Sequence, residues 1–319
     1  MNLLNRLHTI LSPGSSLDEF YISSIPLFKI HRILFLAAYE VLSAENLQPE
    51  TRKAARTALY EARSAHLIYT NRLKAVIRML EEQGTDYILL KGASLWKYYP
   101  QPYLREQDDI DILIRAQDTD RLSSIITETW NTKIVRTGPF HLSCALGSTA
   151  GPCLEIHTET APPDKNRISP DTLFSHTETE SINGLSIRTL SFPFLFQHVA
   201  FHAANHRLLT RIQWLNDLCC LARTSKDYSF LKELKGIRKR SCAAALCFAA
   251  RIFQSSSLEQ ARKELSVSSL FLFFLEKAVP PDRLLTNPVL TSRLRNILYN
   301  LLLIQNPVSI LRTVWRKMH

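Results

Sequence analysis

Apolar positions recur every three to four residues along most of this chain, and the places where that period fails mark where it changes character. Residues 1–48 read as helical but broken: Gly14-Ser15-Ser16 is a loop with capping residues, and Pro26 is expected to precede a helix from Leu27 to Leu42. From Gln48-Pro-Glu50 a long amphipathic helix runs to Glu82, with Ala55, Leu59, Ala62, Tyr69, Leu73, Val76 and Leu80 on its apolar face; Gly84 ends it. The period then shortens to two. Tyr87–Leu90 reads as a strand running into Lys91-Gly92, followed by a helix-compatible segment, Ala93–Tyr99, that Pro100 and Pro102 interrupt. Asp109–Arg115 is a second strand, and a helix over Asp118–Thr129 follows. Further strands are expected near Lys133–Arg136, His141–Leu146, Cys153–Thr158 and Leu185–Leu190, with a short helix at Pro170–Phe174 and a turn at Asn183-Gly184. From Ser191 the helical period returns, over about 192–207, 210–224, 229–236, 239–254, 266–278 and 289–305, with breaks at Pro280-Pro281 and Asn306-Pro307.

This order gives an α+β protein in three parts: N-terminal helices (1–84), a small mixed sheet with helices (85–190) and a C-terminal helical domain (191–319). No apolar run reaches the length of a membrane span, and the charge inside Met1–Leu11 argues against a signal peptide. The six cysteines show no Cys-x-x-Cys spacing and read as reduced thiols of a cytoplasmic protein. Net charge is +10 and uneven: from Ala200 onward 19 Lys/Arg face 7 Asp/Glu, whereas the first 199 residues hold 20 against 22. A basic half would attract polyanions such as NTP, nucleic acid or anionic lipid; a soluble helical surface explains it equally well. The tail Val308–His319, with Trp315, Arg312, Arg316 and Lys317, reads as a final basic amphipathic helix.

The chemistry concentrates at the strand pair. Asp109 and Asp111 are two apart, so on a strand they point the same way with Cα atoms about 6–7 Å apart. Two bare carboxylates at that distance repel by about 2–3 kcal/mol at an effective dielectric near 20, a penalty that a divalent cation between them would remove. Acid-x-acid pairs also arise by chance. Asp118-Thr-Asp120 is explained by N-cap and helix-dipole roles, and Glu178-Thr-Glu180 is another such pair. Asp109/Asp111 differ in having a Lys-Gly turn before them and a third acid after them, Glu155 in Cys153-Leu-Glu-Ile-His157, with His157 on the same face.

Leu-Leu-Lys-Gly-Ala, a tyrosine-containing segment and Arg105-x-x-x-Asp-Ile-Asp-Ile-Leu-Ile together resemble the nucleotidyltransferases of the DNA polymerase-β type, and more narrowly the branch known as uncharacterised nucleotidyltransferases. Phe196-Gln-His-Val-Ala-Phe-His-Ala-Ala-Asn-His206 and Gln213-Trp-Leu-Asn-Asp-Leu218 stand where that branch has a helix of spaced histidines and a helix ending in apolar-x-Asp-Leu. The resemblance spans roughly residues 70–255 and implies a polymerase-β-like core with two Mg²⁺ (or Mn²⁺) held by Asp109, Asp111 and Glu155. It implies an NTP, ATP in the first instance, gripped by Lys91, Gly92, Ser94 and Arg105, and NMP transfer to an acceptor with release of pyrophosphate. Glu155 or a metal-bound hydroxide would take the acceptor's proton. His157, His202, His206 and Asp217 would line the cleft.

Two departures stand out. The usual turn is Gly-Ser or Gly-Gly close to the acid pair, whereas here Ser94 is two after Gly92 and sixteen residues separate Gly92 from Asp109; the third acid is more often aspartate. His198, His202 and His206 share a helix face, but no Glu follows the first, and zinc is the weaker reading of them. The sequence leaves the acceptor open among small molecule, sugar phosphate, protein side chain and tRNA end, and with it nucleic acid as a partner and the oligomeric state. The other reading is a catalytically silent member of the fold acting as a basic nucleic-acid- or partner-binding module.

Overall fold

The period-two segments pair into a single sheet. In the computed structural model, which describes residues 3–12, 14–146, 152–162, 165–182, 184–206 and 211–278, the elements run α1 (Leu3–Leu11), α2 (Leu17–Ile30), α3 (Leu34–Val41), α4 (Pro49–Glu82), β1 (Tyr87–Leu89), β2 (Asp109–Ile114), α5 (Thr119–Trp130), β3 (Val135–Gly138), β4 (His141–Ala145), β5 (Cys153–His157), α6 (Pro170–Phe174), β6 (Thr177–Ile182), β7 (Leu185–Leu190), α7 (Phe192–Asn205), α8 (Ile212–Thr224), α9 (Gly236–Phe253), α10 (Ser256–Glu264) and α11 (Ser269–Ala278). The expected helix 289–305, both proline breaks and the tail Val308–His319 lie outside the described residues, as does Asn183 of the expected turn. Among the described residues, no helix is long and apolar enough to cross a membrane.

The chain divides into two compact units, residues 59–162 with 167–198, and residues 1–58 with 163–166 and 199–319. The first holds the seven-stranded mixed sheet, in the order β3-β4-β5-β2-β1-β7-β6. At its centre β2 runs parallel to β5 and antiparallel to β1, and β1 runs parallel to β7. Alternation then assigns the faces. Ile110, Ile112 and Ile114 of β2, Leu142 and Cys144 of β4, and Leu154 and Ile156 of β5 enter a core with Tyr69, Leu73, Val76, Ile77 and Leu80 of α4 and Leu122 and Ile126 of α5. Each fully buried Ile or Leu contributes about 1.5–3 kcal/mol. The intervening residues, Asp109 and Asp111, His141, and Glu155 and His157, are therefore turned to the other face. One hydrophobic core thus fixes where every acid points.

The described residues of the second unit are mainly helical, and two of their helix starts are tied by side chains from distant sequence. The Leu3 and Leu4 N–H groups at the start of α1 donate to the Glu40 carboxylate at 3.2 and 2.6 Å. Burial raises the pKa of that carboxyl. The Ile212 N–H that opens α8 donates to Nδ1 of buried His31 at 3.3 Å, and the Gln213 N–H donates to the His31 carbonyl at 3.2 Å.

Several local expectations need correction. Pro26 does not precede a helix; it lies inside α2, which Ser16 and Glu19 open with a reciprocal capping box. The N–H that Pro26 lacks would have bonded the carbonyl of Ile22, a residue on the exposed side of the helix. The break falls later, where Arg32 takes a left-handed φ of 56° between α2 and α3. Residues 229–236 form only a short 3-10 turn, Ser229–Glu233, before α9. Asp118 makes no side-chain cap bond and pairs instead with Arg121 at 3.0 Å. All six cysteines are free thiols.

Candidate active site

The parallel β2–β5 ladder sets Asp111 directly opposite Glu155 and Asp109 opposite Cys153. Asp109, Asp111 and Glu155 each present a carboxylate oxygen within 4.8 Å of the others, a spacing and donor chemistry that suit a hard divalent cation. Their charges are handled unequally. Lys91 Nζ lies 2.5 Å from Asp111 and 3.8 Å from Asp109, and His157 Nε2 lies 3.1 Å from the other oxygen of Asp111. Burial works against the Asp111 charge, yet Lys91 and His157 outweigh it and hold this carboxyl well below the usual range. Burial also opposes the Lys91 charge, and the two aspartates more than restore it. Asp109 has the reverse balance: burial first, then Asp111, raise its pKa.

Glu155 is the most perturbed acid. Burial, then Asp111 and Asp109, push it up to about 7. A carboxyl raised on folding contributes stability fully below its unfolded value, near 4.5, and that contribution is lost as pH rises through about 7. Relative to Glu155→Gln, which cannot ionise, the wild-type chain is expected to lose melting temperature steadily across that window. A difference that stays flat with pH would contradict this assignment.

The Lys-Gly turn is shaped by a tyrosine that no motif announces. Gly92 has φ +73°, and a Cβ there would come within 2.7 Å of the Tyr69 hydroxyl, which is buried in the core. Gly92→Ala is expected to cost about 1–2 kcal/mol from the left-handed backbone alone, plus the tyrosine overlap. Adding Tyr69→Phe should recover the overlap part only; full additivity of the two changes in a denaturation series would argue against this packing. Ser94 is fully buried, and its hydroxyl has no hydrogen-bond partner among the described residues. Arg105 is buried close enough for its charge to lower the pKa of Asp109.

Two histidines here lay outside the expected site. His141 of β4 pairs across the ladder with His157, and their rings stack at 4.5 Å and 7°. Burial, then His157, lower the His141 pKa. His198 is buried, and burial together with the Lys91 charge depresses it to about 3. It was readable as one of three spaced histidines but not as the one beside Lys91. His202 and His206 belong to the helical unit, where both rings pack on Trp214 at 4.8 Å, and Asp217 is buried in α8. Glu180, set aside as part of a chance acid pair, takes an ion pair from Lys97.

Residues 24–255 match the model of the family described as uncharacterised nucleotidyltransferase. The chain belongs to this family. The resemblance first seen around Lys91-Gly92 and Asp109-Ile-Asp111 thus extends over most of the sequence. No curated protein matches the chain. Among solved structures it is similar to the antibiotic-resistance factor ANT(2'')-Ia, at 11% identity and a TM-score of 0.39 over 48% of this chain and 82% of that one. It is similar to the lincosamide antibiotic adenylyltransferase LnuA bound to lincomycin, at 19% identity and 0.38 over 49% and 97%. A third is an antigenic nucleotidyltransferase-like protein from Paracoccidioides brasiliensis, at 15% identity and 0.39 over 60% and 94%. Likenesses of this extent say nothing of nucleotide or acceptor.

Proposed function

We propose that this chain is a metal-dependent nucleotidyltransferase that moves NMP from an NTP, ATP in the first instance, to an acceptor and releases pyrophosphate. The observation that carries the reading is the convergence of Asp109, Asp111 and Glu155 beside Lys91 and Gly92. Asp109, Asp111 and Glu155 would hold Mg²⁺ or Mn²⁺, which when bound supplies charge neutralisation for the triphosphate and the departing pyrophosphate. In the reaction the acceptor oxygen forms a bond to the α-phosphorus as the bond to the β-phosphate bridging oxygen breaks. The acceptor's proton would pass to a base, the role assigned to Glu155.

Lys91 is the residue with two roles. With its ammonium on Asp111 it balances the acid cluster; turned toward a triphosphate, the same charge steadies the leaving group. Gly92 supplies the left-handed turn, closed by Tyr69, that follows Lys91. Arg105 supplies a second buried cation on the Asp109 side.

Radiolabelled NTP with Mg²⁺ or Mn²⁺, offered to cell extract as the source of acceptors, tests the reading. Label should move to one acceptor class with matching pyrophosphate, and mass spectrometry of that product names the acceptor. Binding of nucleic acid or a protein partner with no label transfer would favour the silent binding module instead.

A further inference from the structure

From the ladder of β4, β5 and β2 we infer a second cation site beside the three acids, built from His141, Glu155 and His157, which takes a borderline dication of the zinc class. It shares Glu155 with the proposed NMP-transfer site but requires neither the nucleotide nor that chemistry.

The argument starts from strand register. β4 pairs antiparallel with β5, so His141 faces His157 and Ser143 faces Glu155; β5 pairs parallel with β2, so Glu155 faces Asp111. On the polar face of the sheet these pairings lay two rows side by side, imidazoles in one and carboxylates in the other. Glu155 stands where the rows meet, as a carboxylate with two oxygens can. His141 Nε2 lies 3.3 Å and His157 Nε2 lies 3.8 Å from the same oxygen of Glu155. Two ligand atoms each about 2.0–2.1 Å from a tetrahedral zinc are roughly 3.4 Å apart. Both nitrogens thus stand near zinc-ligand spacing from the shared oxygen, and all three atoms lie within 4.8 Å of one another.

His157 Nε2 is hydrogen-bonded to Asp111 at 3.1 Å, a bond that coordination would replace. His141 Nε2 is shielded from solvent and makes no hydrogen bond, although it faces a carboxylate oxygen. Coordination is an arrangement that would use this nitrogen. The two rings stack nearly parallel, so their in-plane lone pairs converge on one cation only once a ring rotates. Two imidazoles and a carboxylate suit zinc, cobalt or nickel, whereas the three oxygens next door suit magnesium or manganese. Unlike donor sets bridged by one glutamate therefore predict two metals of different class on one sheet face.

The experiment uses the full chain, stripped of metal and then held in excess Mg²⁺ so that the oxygen site is taken. Zn²⁺ added by calorimetric titration should still bind, one per chain, and the zinc absorption edge should show two imidazole nitrogens. In His141→Ala the affinity should fall about tenfold or more and one imidazole should vanish from the spectrum; His141→Gln serves if that variant does not fold. Asp109→Asn should leave zinc affinity within about threefold, on the same ligand logic. Unchanged zinc affinity in both His141 variants, a zinc spectrum without imidazole, or loss of zinc in Asp109→Asn would each overturn the proposal. Normal NMP transfer with no zinc binding would sink this site and spare the transferase reading; zinc binding without transfer would do the opposite.

Discussion

Asp109→Asn is expected to lower NMP transfer by about a thousandfold, the scale of losing one charged group that acts on the transition state, while leaving the fold as stable as wild type or more so. The two halves of that expectation come from the same electrostatics. Asp109 is a third exposed, and its carboxyl is raised by burial and by Asp111, so in the resting chain its charge is a liability. An amide of the same shape relieves the repulsion with Asp111 but contributes far less to a cation. Pyrophosphate release and a melting curve on the same preparation decide the matter. Activity within tenfold of wild type, or a variant that unfolds, would contradict the role given to this residue.

Lys91→Met should have the largest effect on stability of any change at the site. Its ammonium sits against Asp111, whose side chain is 1% exposed, and breaking a buried ion pair by removing one partner costs about 3–5 kcal/mol. The remaining bond from His157 covers only one of the two Asp111 oxygens. Mn²⁺ should restore part of the lost stability, because it replaces the missing positive charge, yet turnover should stay low without a cation to meet the triphosphate. Equal melting temperatures for variant and wild type would show that Lys91 does not neutralise the cluster. Recovery of turnover with Mn²⁺ alone would confine Lys91 to a structural part.

Much of this site was legible in the residues. A period of two places Asp109 and Asp111 together and opposite Ile110 and Ile112, and it does the same for Glu155 and His157 against Leu154 and Ile156. That is local information, carried by the pleat of one strand. What no strand carries is its neighbour. The pairing of Asp111 with Glu155, and of His157 with His141, depends on how segments far apart in sequence align, and a slip of one residue would have turned the acids into the core. Tyr69 illustrates the same limit: on the helix it reads as one more apolar-face residue, and only the packing of α4 brings its hydroxyl against Gly92. Pro26 misled for the opposite reason, since a helix can pass through proline where the freed carbonyl belongs to a residue on its exposed side. His31 capping α8 across 181 residues has no signature in local sequence at all.

The most direct test of the central claim is a crystal of the chain grown with Mn²⁺ and an NTP whose α,β-bridge cannot be cleaved, with anomalous scattering used to place the metal. The account predicts a manganese peak within about 2.0–2.6 Å of oxygens from Asp109, Asp111 and Glu155, with Lys91 moved off Asp111 and onto the phosphates. Manganese bound elsewhere, or bound to the aspartates with Glu155 turned away, would contradict it.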